Sequence, residues 1–180
     1  MKIYPHFEKA YDRTHKNEGF YANNPNDRGG ETYCGISRRF HPDWEGWKIV
    51  DSYEDKDKLK HDKVLNSMVR VFFEQNYWEA NKFQYIDFDL LAMKLYDIGV
   101  NADYLVSQKL FQRSLNFLGA DLKVDGILGR KTFGAYNSLD FEDKVNCLKT
   151  LSGLQINYYV EITEKRSDQK CWSRNWLGRV

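Results

Sequence analysis

Apolar side chains recur at helical spacing through much of the chain, and this period constrains its fold more than any other feature. The longest such segment covers residues 140–165, where apolar residues return close to every 3.5 positions. The same period runs through residues 3–17, about 58–78, 88–100 and 103–118. The pattern predicts a mainly α-helical fold.

The period also predicts which side chains face the core. On the segment that begins near Lys58, the predicted inward face consists of Val64, Met68, Val71, Phe72 and Gln75. On residues 88–100 it consists of Phe88, Leu91, Ala92, Leu95 and Ile98. We expect a short helix from Thr132 to Asn137, and a surface connection with short helical pieces over residues 41–61.

Composition and charge exclude several classes of protein. Hydrophobic residues make up 42% of the 180 residues, with only 12 Gly and 3 Pro, which excludes a disordered or low-complexity chain. We predict no membrane span, because no apolar run approaches the roughly 20 residues that a span requires. Lys and Arg number 27 against 26 Asp and Glu, so no basic field points to nucleic acid.

One segment near the N-terminus lacks the helical period. Residues 23–30 are dense in turn-forming residues, and they lie between Phe20-Tyr21 and Thr32-Tyr33. This arrangement predicts a short β-hairpin or an irregular loop inserted into the helical fold.

The same segment carries two carboxylates. Glu18 lies where the first predicted helix ends, and Asp27 lies nine residues later in the turn-rich stretch, followed by Thr32. A pair of carboxylates across a glycosidic bond is the usual equipment for hydrolysis of a sugar chain. The alternative is an ordinary surface loop in which Asp27 caps a turn and Glu18 forms an ion pair with Lys16 or Arg28. Glu31 is a second candidate for the role given to Asp27.

The surroundings of the two carboxylates predict different pKa values. The negative end of a helix dipole and the neighbouring Phe20 and Tyr21 would raise the pKa of Glu18, which favours a proton donor. Arg28 and the backbone amides of a Gly-rich turn would keep Asp27 ionised. Two carboxylates whose pKa values are driven apart are typical of an acid–base pair.

Further side chains have the chemistry to bind a sugar, either as flat aromatic rings or as polar groups on one helix face. The candidate substrate-binding residues are Tyr21, Tyr77, Trp78, Asp97 and Asn101. Trp44 and Trp47 are further candidate stacking rings. The alternatives remain open: the aromatic residues can equally belong to the core, and Asp97 and Asn101 can form a hydrogen bond within one helix.

Two motifs resemble a known family. The first is Glu18-Gly19-Phe20-Tyr21 followed by Asp27-x-Gly29-Gly30-x-Thr32-x-x-Gly35-Ile36, which resembles the E-G-G-Y and D-x-G-G-x-T-x-x-G-I signature of glycoside hydrolase family 108. The second runs from Leu110 to Thr132 and is similar to the predicted peptidoglycan-binding region that follows in this family. The likeness covers roughly residues 5–180. One departure is Phe20, where the family has its second glycine.

The resemblance implies a lysozyme-like N-acetylmuramidase of the kind found among secretion activator proteins and phage endolysins. By this likeness Glu18 is the general acid, with Asp27 and Thr32 as further catalytic residues. The expected fold is a lysozyme-like helical domain with a small β-hairpin or loop insertion. Residues 1–90 would form the catalytic part and residues 91–180 the predicted peptidoglycan-binding part, packed together as one compact unit.

The remaining expectations concern partners and compartment. We expect peptidoglycan glycan strands as the substrate, no cofactor or metal, and a monomer. The N-terminal residues lack the apolar segment of a signal peptide, which favours a cytoplasmic protein that reaches the cell wall after release. Two alternative functions remain, namely a non-catalytic peptidoglycan-binding or secretion-assisting protein, and a lytic transglycosylase.

Overall fold

The computed structural model describes residues 4–15, 20–23, 30–165, 176–178 and 180. Among these residues the fold is mainly helical with one small antiparallel sheet, which confirms the predicted fold class. The sheet consists of β1 (Tyr21–Asn23), β2 (Glu31–Tyr33) and β3 (Ile36–Ser37). The α-helices are α1 (Pro5–His15), α2 (Gly46–Ser52), α3 (Lys63–Phe73), α4 (Asp89–Asn101), α5 (Tyr104–Phe117), α6 (Arg130–Asn137) and α7 (Phe141–Lys165).

Shorter helical turns join these elements. Residues 41–61 contain α2 and a 3₁₀ helix, Lys56–His61, as predicted for a connection with short helical pieces. A π-helical turn, Glu74–Glu79, continues α3, and a 3₁₀ turn, Phe83–Tyr85, precedes α4. The aromatic and basic tail over residues 172–180, for which we expect a last short helix, lies mostly outside the described residues.

Residue contacts divide the chain into two compact units. Unit 1 contains residues 1–10 and 77–180, and unit 2 contains residues 11–76.

The core of unit 1 is built around α4. Almost every side chain from Leu91 to Ile98 on this helix is buried, including four of the five residues predicted to face inward, and Phe88 is half-buried. Ser107 on α5 donates a hydrogen bond to the backbone oxygen of Leu95 at 2.6 Å, so the polar group inside this core is satisfied.

In unit 2, the predicted inward face of α3 is confirmed at Phe72 and is otherwise shifted by one position. The buried residues are Leu65, Val69, Phe72 and Phe73, whereas Val64 is 63% exposed and Val71 is 36% exposed. Helix α3 carries two adjacent apolar stripes, and aromatic packing selects between them. The ring of His41 packs against Phe72, and that of Tyr11 against Phe73, so these side chains turn inward.

The turn between α5 and α6 in unit 1 is held by one buried side chain, Gln112. Its amide nitrogen donates to the Asp125 carboxylate at 3.1 Å and to the backbone oxygen of Ile127 at 3.2 Å. Its amide oxygen accepts the Gly126 N–H at 2.7 Å. The Gln112 hydrogen bond is the leading cause of the lowered pKa of Asp125. Gly126 has a φ of +81°, which glycine adopts without strain.

Replacing Gln112 with leucine should therefore lower the free energy of unfolding by about 2 kcal/mol, because the substitution leaves buried polar groups without partners. The measurement is urea denaturation followed by circular dichroism. Gln108→Leu serves as the matched control, since the half-buried Gln108 makes a single side-chain bond, to Asn81. Equal losses in the two variants would contradict the role assigned to Gln112.

Candidate functional site

The small sheet of unit 2 positions two of the predicted site residues. Thr32 on β2 pairs with Ala22 on β1 and Ser37 on β3, while Tyr21 pairs with Tyr33. Because successive side chains on a strand point to opposite faces, Thr32 and Tyr21 lie on opposite faces of the sheet. The structure thus places both residues on the same hairpin but does not bring their side chains together.

The Tyr21 face of the sheet carries a chain of polar contacts. The Tyr21 hydroxyl donates to Glu31 at 2.9 Å, and Glu31 forms an ion pair with the Arg38 Nε at 2.9 Å. Arg38 also donates to both oxygens of Asp51, at 2.5 and 3.3 Å. Burial raises the pKa of Tyr21, and the Glu31 carboxylate raises it further. The hydrogen bond from Arg38 lowers the pKa of Asp51.

These contacts give Glu31 a structural role. Both carboxylate oxygens are engaged, one by Tyr21 on the neighbouring strand and one by Arg38. The Arg38 guanidinium lies 4.4 Å from the ring centroid of Trp47, which fixes its position further. Glu31 therefore ties the base of the hairpin to α2. Sequence reasoning could treat it only as a rival to Asp27, because Arg38 and Asp51 are remote in the sequence.

Glu18 and Asp27 lie outside the described residues. The structure gives the flanks of each position: α1 ends at His15 and β1 begins at Tyr21, while Asn23 and Gly30 bracket the stretch that contains Asp27. Phe20, the departure from the family signature, is 47% exposed. The predicted protonation states of the two carboxylates stay predictions.

Unit 1 brings together three other predicted residues around a fourth that sequence reasoning missed. The rings of Tyr77 and Tyr104 stack with centroids 5.0 Å apart. Asn101 donates to the backbone oxygen of Asp97 at 2.7 Å and to its carboxylate at 3.2 Å. Burial raises the pKa of Tyr104, and the nearby Asp97 contributes to the rise. The sequence alone does not indicate Tyr104, because its place beside α4 depends on Gly99, where a Cβ would lie 2.3 Å from the Tyr104 ring.

The contact between Asp97 and Asn101 is the hydrogen bond within one helix that the sequence left open. Asp97 is only 8% exposed. Tyr77 is half-buried and Asn101 is half-buried, so both retain surface that a ligand can contact. The substrate-binding role of these residues stays a prediction.

Trp78 belongs to the core, which corrects the expectation that it stacks on a sugar. Its side chain is 1% exposed and packs edge-on or tilted against Phe7, Phe83 and Tyr96, with ring centroids 5.7 to 5.9 Å apart. A ring enclosed in this way offers no face to a glycan. Trp47 is likewise buried, at 4% exposure, whereas Trp44 is half-buried and lines a groove in unit 2.

The described residues contain neither a metal-binding cluster nor a membrane-spanning helix. In the ranges that the structure covers, no three His, Cys, Asp or Glu side chains cluster in a way that would hold a metal ion. None of the helices described there combines the length and the apolar composition of a membrane span.

Burial raises the pKa of Cys147 to about 12, so this thiol is inert at neutral pH.

Comparisons with known proteins match the two sequence motifs. The family model for glycosyl hydrolase 108 matches residues 11–102, and that for a predicted peptidoglycan domain matches residues 106–180. The solved structure of Brucella abortus SagA is similar over 96% of this chain and 88% of its own, with a TM-score of 0.56 and 19% identity. At this identity the likeness shows the fold alone. No curated protein matches the chain.

Proposed function

Because the chain belongs to the glycosyl hydrolase 108 family, we propose that it hydrolyses the β-1,4 bond between N-acetylmuramic acid and N-acetylglucosamine in peptidoglycan. The observation that carries this proposal is the order Glu18, Asp27, Thr32 within the region that the family model matches, with Thr32 on β2 of the small sheet. The match to a predicted peptidoglycan domain in the second half supports the same substrate.

In the proposed reaction, Glu18 is protonated and donates its proton to the glycosidic oxygen as the bond to the sugar breaks. The transition state develops positive charge on the ring, and the ionised Asp27 stabilises this charge or takes a proton from the attacking water. The Thr32 hydroxyl accepts a hydrogen bond from that water and orients it. The products are two sugars with one molecule of water added across the bond.

The described part of the site supports this division of roles. Glu31, the other acidic candidate in the segment, is already held by Tyr21 and Arg38, which leaves Asp27 as the second carboxylate of the proposal. Thr32 lies on the sheet face away from that ion pair, where its hydroxyl does not compete for these partners.

Mass analysis of the fragments released from purified peptidoglycan tests the proposal. A muramidase releases fragments that end in reducing N-acetylmuramic acid. A lytic transglycosylase releases 1,6-anhydro ends, which are lighter by one water. Anhydro products would replace hydrolysis with transglycosylation, and binding to the wall without any released fragment would select the non-catalytic alternative.

A pair of variants separates the two candidates for the second carboxylate. We expect Asp27→Asn to lower the rate of fragment release by about 100-fold, which is typical for loss of a general base. Glu31→Gln should lower it less than about tenfold, because the amide oxygen can still accept the Tyr21 hydroxyl and only the half-buried ion pair with Arg38 is weakened. The measurement is release of reducing ends under identical conditions. A larger loss in Glu31→Gln than in Asp27→Asn would reverse the assignment.

A further inference from the structure

Unit 2 carries an apolar groove whose described lining does not include Thr32. Its volume is about 540 Å³, and it lies between residues 43–45 and one side of α3 and the turn that follows. Its apolar lining is formed by Trp44, Val64, Met68, Val71 and Phe72. Apart from Trp44, these are side chains that the helical period predicts for the core, so the sequence supplies a second apolar stripe that the fold of unit 2 leaves at the surface.

The spacing of this stripe is the first indication of its occupant. Val64, Met68 and Val71 are separated by four and three residues, so they form one straight row along the helix. Rows with this spacing pack against the apolar face of another helix, whose anchors repeat at the same intervals. Val64 is 63% exposed and Val71 is 36% exposed, and no described residue covers them further.

The groove has a rigid wall. The Trp44 ring lies against Gly46 so closely that a Cβ there would be 2.3 Å from ring carbons. The ring also stacks on Tyr33, at a centroid distance of 6.4 Å, and packs edge-on against Trp47 at 5.2 Å and Phe72 at 6.1 Å. Because these neighbours fix the ring, the wall is formed before any ligand arrives, which lowers the entropy cost of binding.

The negative charge at the rim of the groove is the second indication of its occupant. Asp43 and Glu45 line the groove, and among its described lining residues there is no Lys, Arg or His. Glu45 is bonded to Lys48, whereas Asp43 forms no ion pair with any described residue. An anionic segment such as a carboxylate-rich wall peptide would find no cation here. A second copy of this chain docking through the same face would oppose like charges.

We propose that this groove binds an amphipathic helix of another protein, with an apolar face that fills the α3 side and Lys or Arg at its flank beside Asp43. The apolar row of Val64, Met68 and Val71 supplies most of the binding affinity. The Asp43 carboxylate sets the orientation of the bound helix and disfavours acidic helices. Thr32, the proposed catalytic residue that the structure describes, does not line the groove. Helix binding can therefore fail while the proposed sugar hydrolysis stands, and the reverse.

The probe is a fluorescent synthetic helix of about 18 residues with leucine at helical spacing on one face and lysine along its flank. A matched peptide carries glutamate in place of lysine. We expect fluorescence anisotropy to show tighter binding of the lysine peptide, and the difference should shrink in about 0.5 M salt. Equal binding of both peptides in low salt, or no binding of either, would overturn the proposal.

Variants locate the binding on the protein. Met68→Ser/Val71→Ser should weaken binding of the lysine peptide at least about tenfold, and Asp43→Asn about threefold in low salt only. Val160→Ser, at a 45% exposed position on α7, is the matched control and should bind as wild type. Unfolding curves confirm that each variant is folded. Unchanged binding by the double variant would overturn the proposal, as would displacement of the peptide by released wall fragments.

Discussion

Replacing Glu18 with glutamine is expected to lower the rate of peptidoglycan hydrolysis by about 10²- to 10⁴-fold. Glutamine keeps the size and the hydrogen-bonding capacity of the side chain but has no proton to give to the leaving oxygen. The rate is measured as release of reducing ends from purified walls. The free energy of unfolding should change little, because the substitution is nearly isosteric.

Glu54→Gln is the matched control for this experiment. Glu54 is an exposed glutamate in the same unit, so its substitution repeats the loss of one negative charge at a residue that has no assigned role in catalysis. We expect wild-type rates from it. Near wild-type clearing of walls by Glu18→Gln would remove the assignment of the general acid. A loss of activity that is matched by a loss of folded protein would show only a structural effect, which the unfolding curve detects.

The helices could be predicted from sequence where one apolar stripe is clear. Helix α4 is predicted at residues 88–100 and found at Asp89–Asn101, with Leu91, Ala92, Leu95 and Ile98 buried. A single period of apolar residues leaves few ways to bury the helix, so local sequence is sufficient there.

Helix α3 shows where the same reasoning fails. Two neighbouring stripes, one containing Val64 and Met68 and the other containing Leu65 and Val69, are almost equally apolar. The choice depends on rings that arrive from other parts of unit 2, such as Tyr11 and His41. Residues remote in sequence decide the buried face, and the period of one helix does not contain that information.

The candidate site divides in the same way. Residue types and spacing suggested Glu18 and Asp27 as a carboxylate pair, with Thr32 beside them, but left a surface loop as the alternative. The resemblance to the family signature assigned the three residues to catalysis, and this assignment stays a prediction. The role of Glu31 could not be read from its neighbours in sequence, since it depends on Arg38 and on the pairing of β1 with β2. The partner of Tyr77, Tyr104, likewise comes from a different helix.

Tyr77 and Trp78 show most directly what sequence reasoning cannot predict. They are adjacent aromatic residues, and both could stack on a sugar. The structure buries Trp78 among Phe7, Phe83 and Tyr96, and Phe7 comes from the first helix. Tyr77 instead stacks on Tyr104 and keeps part of its surface. We therefore expect opposite consequences from truncating these two neighbours.

Trp78→Ala should lower the free energy of unfolding by about 3–5 kcal/mol, the range for loss of a large aromatic side chain from a packed core. The substitution removes the ring that contacts Phe7, Phe83 and Tyr96 together, and the cavity that remains cannot be filled by small shifts of three rigid rings. The measurement is chemical denaturation followed by circular dichroism, with the midpoint and slope fitted for each variant.

Tyr85→Ala is the control, since Tyr85 is an aromatic residue of the same unit that is 63% exposed. Its truncation should cost less than about 1 kcal/mol, because little of its surface is removed from water on folding. If Trp78 were instead a sugar-binding ring, Trp78→Ala would unfold like the wild type and lose affinity for wall fragments alone. That result would overturn its placement in the core, whereas a large loss of stability with Tyr85→Ala unchanged would establish that the aromatic cluster around Trp78 holds unit 1 together.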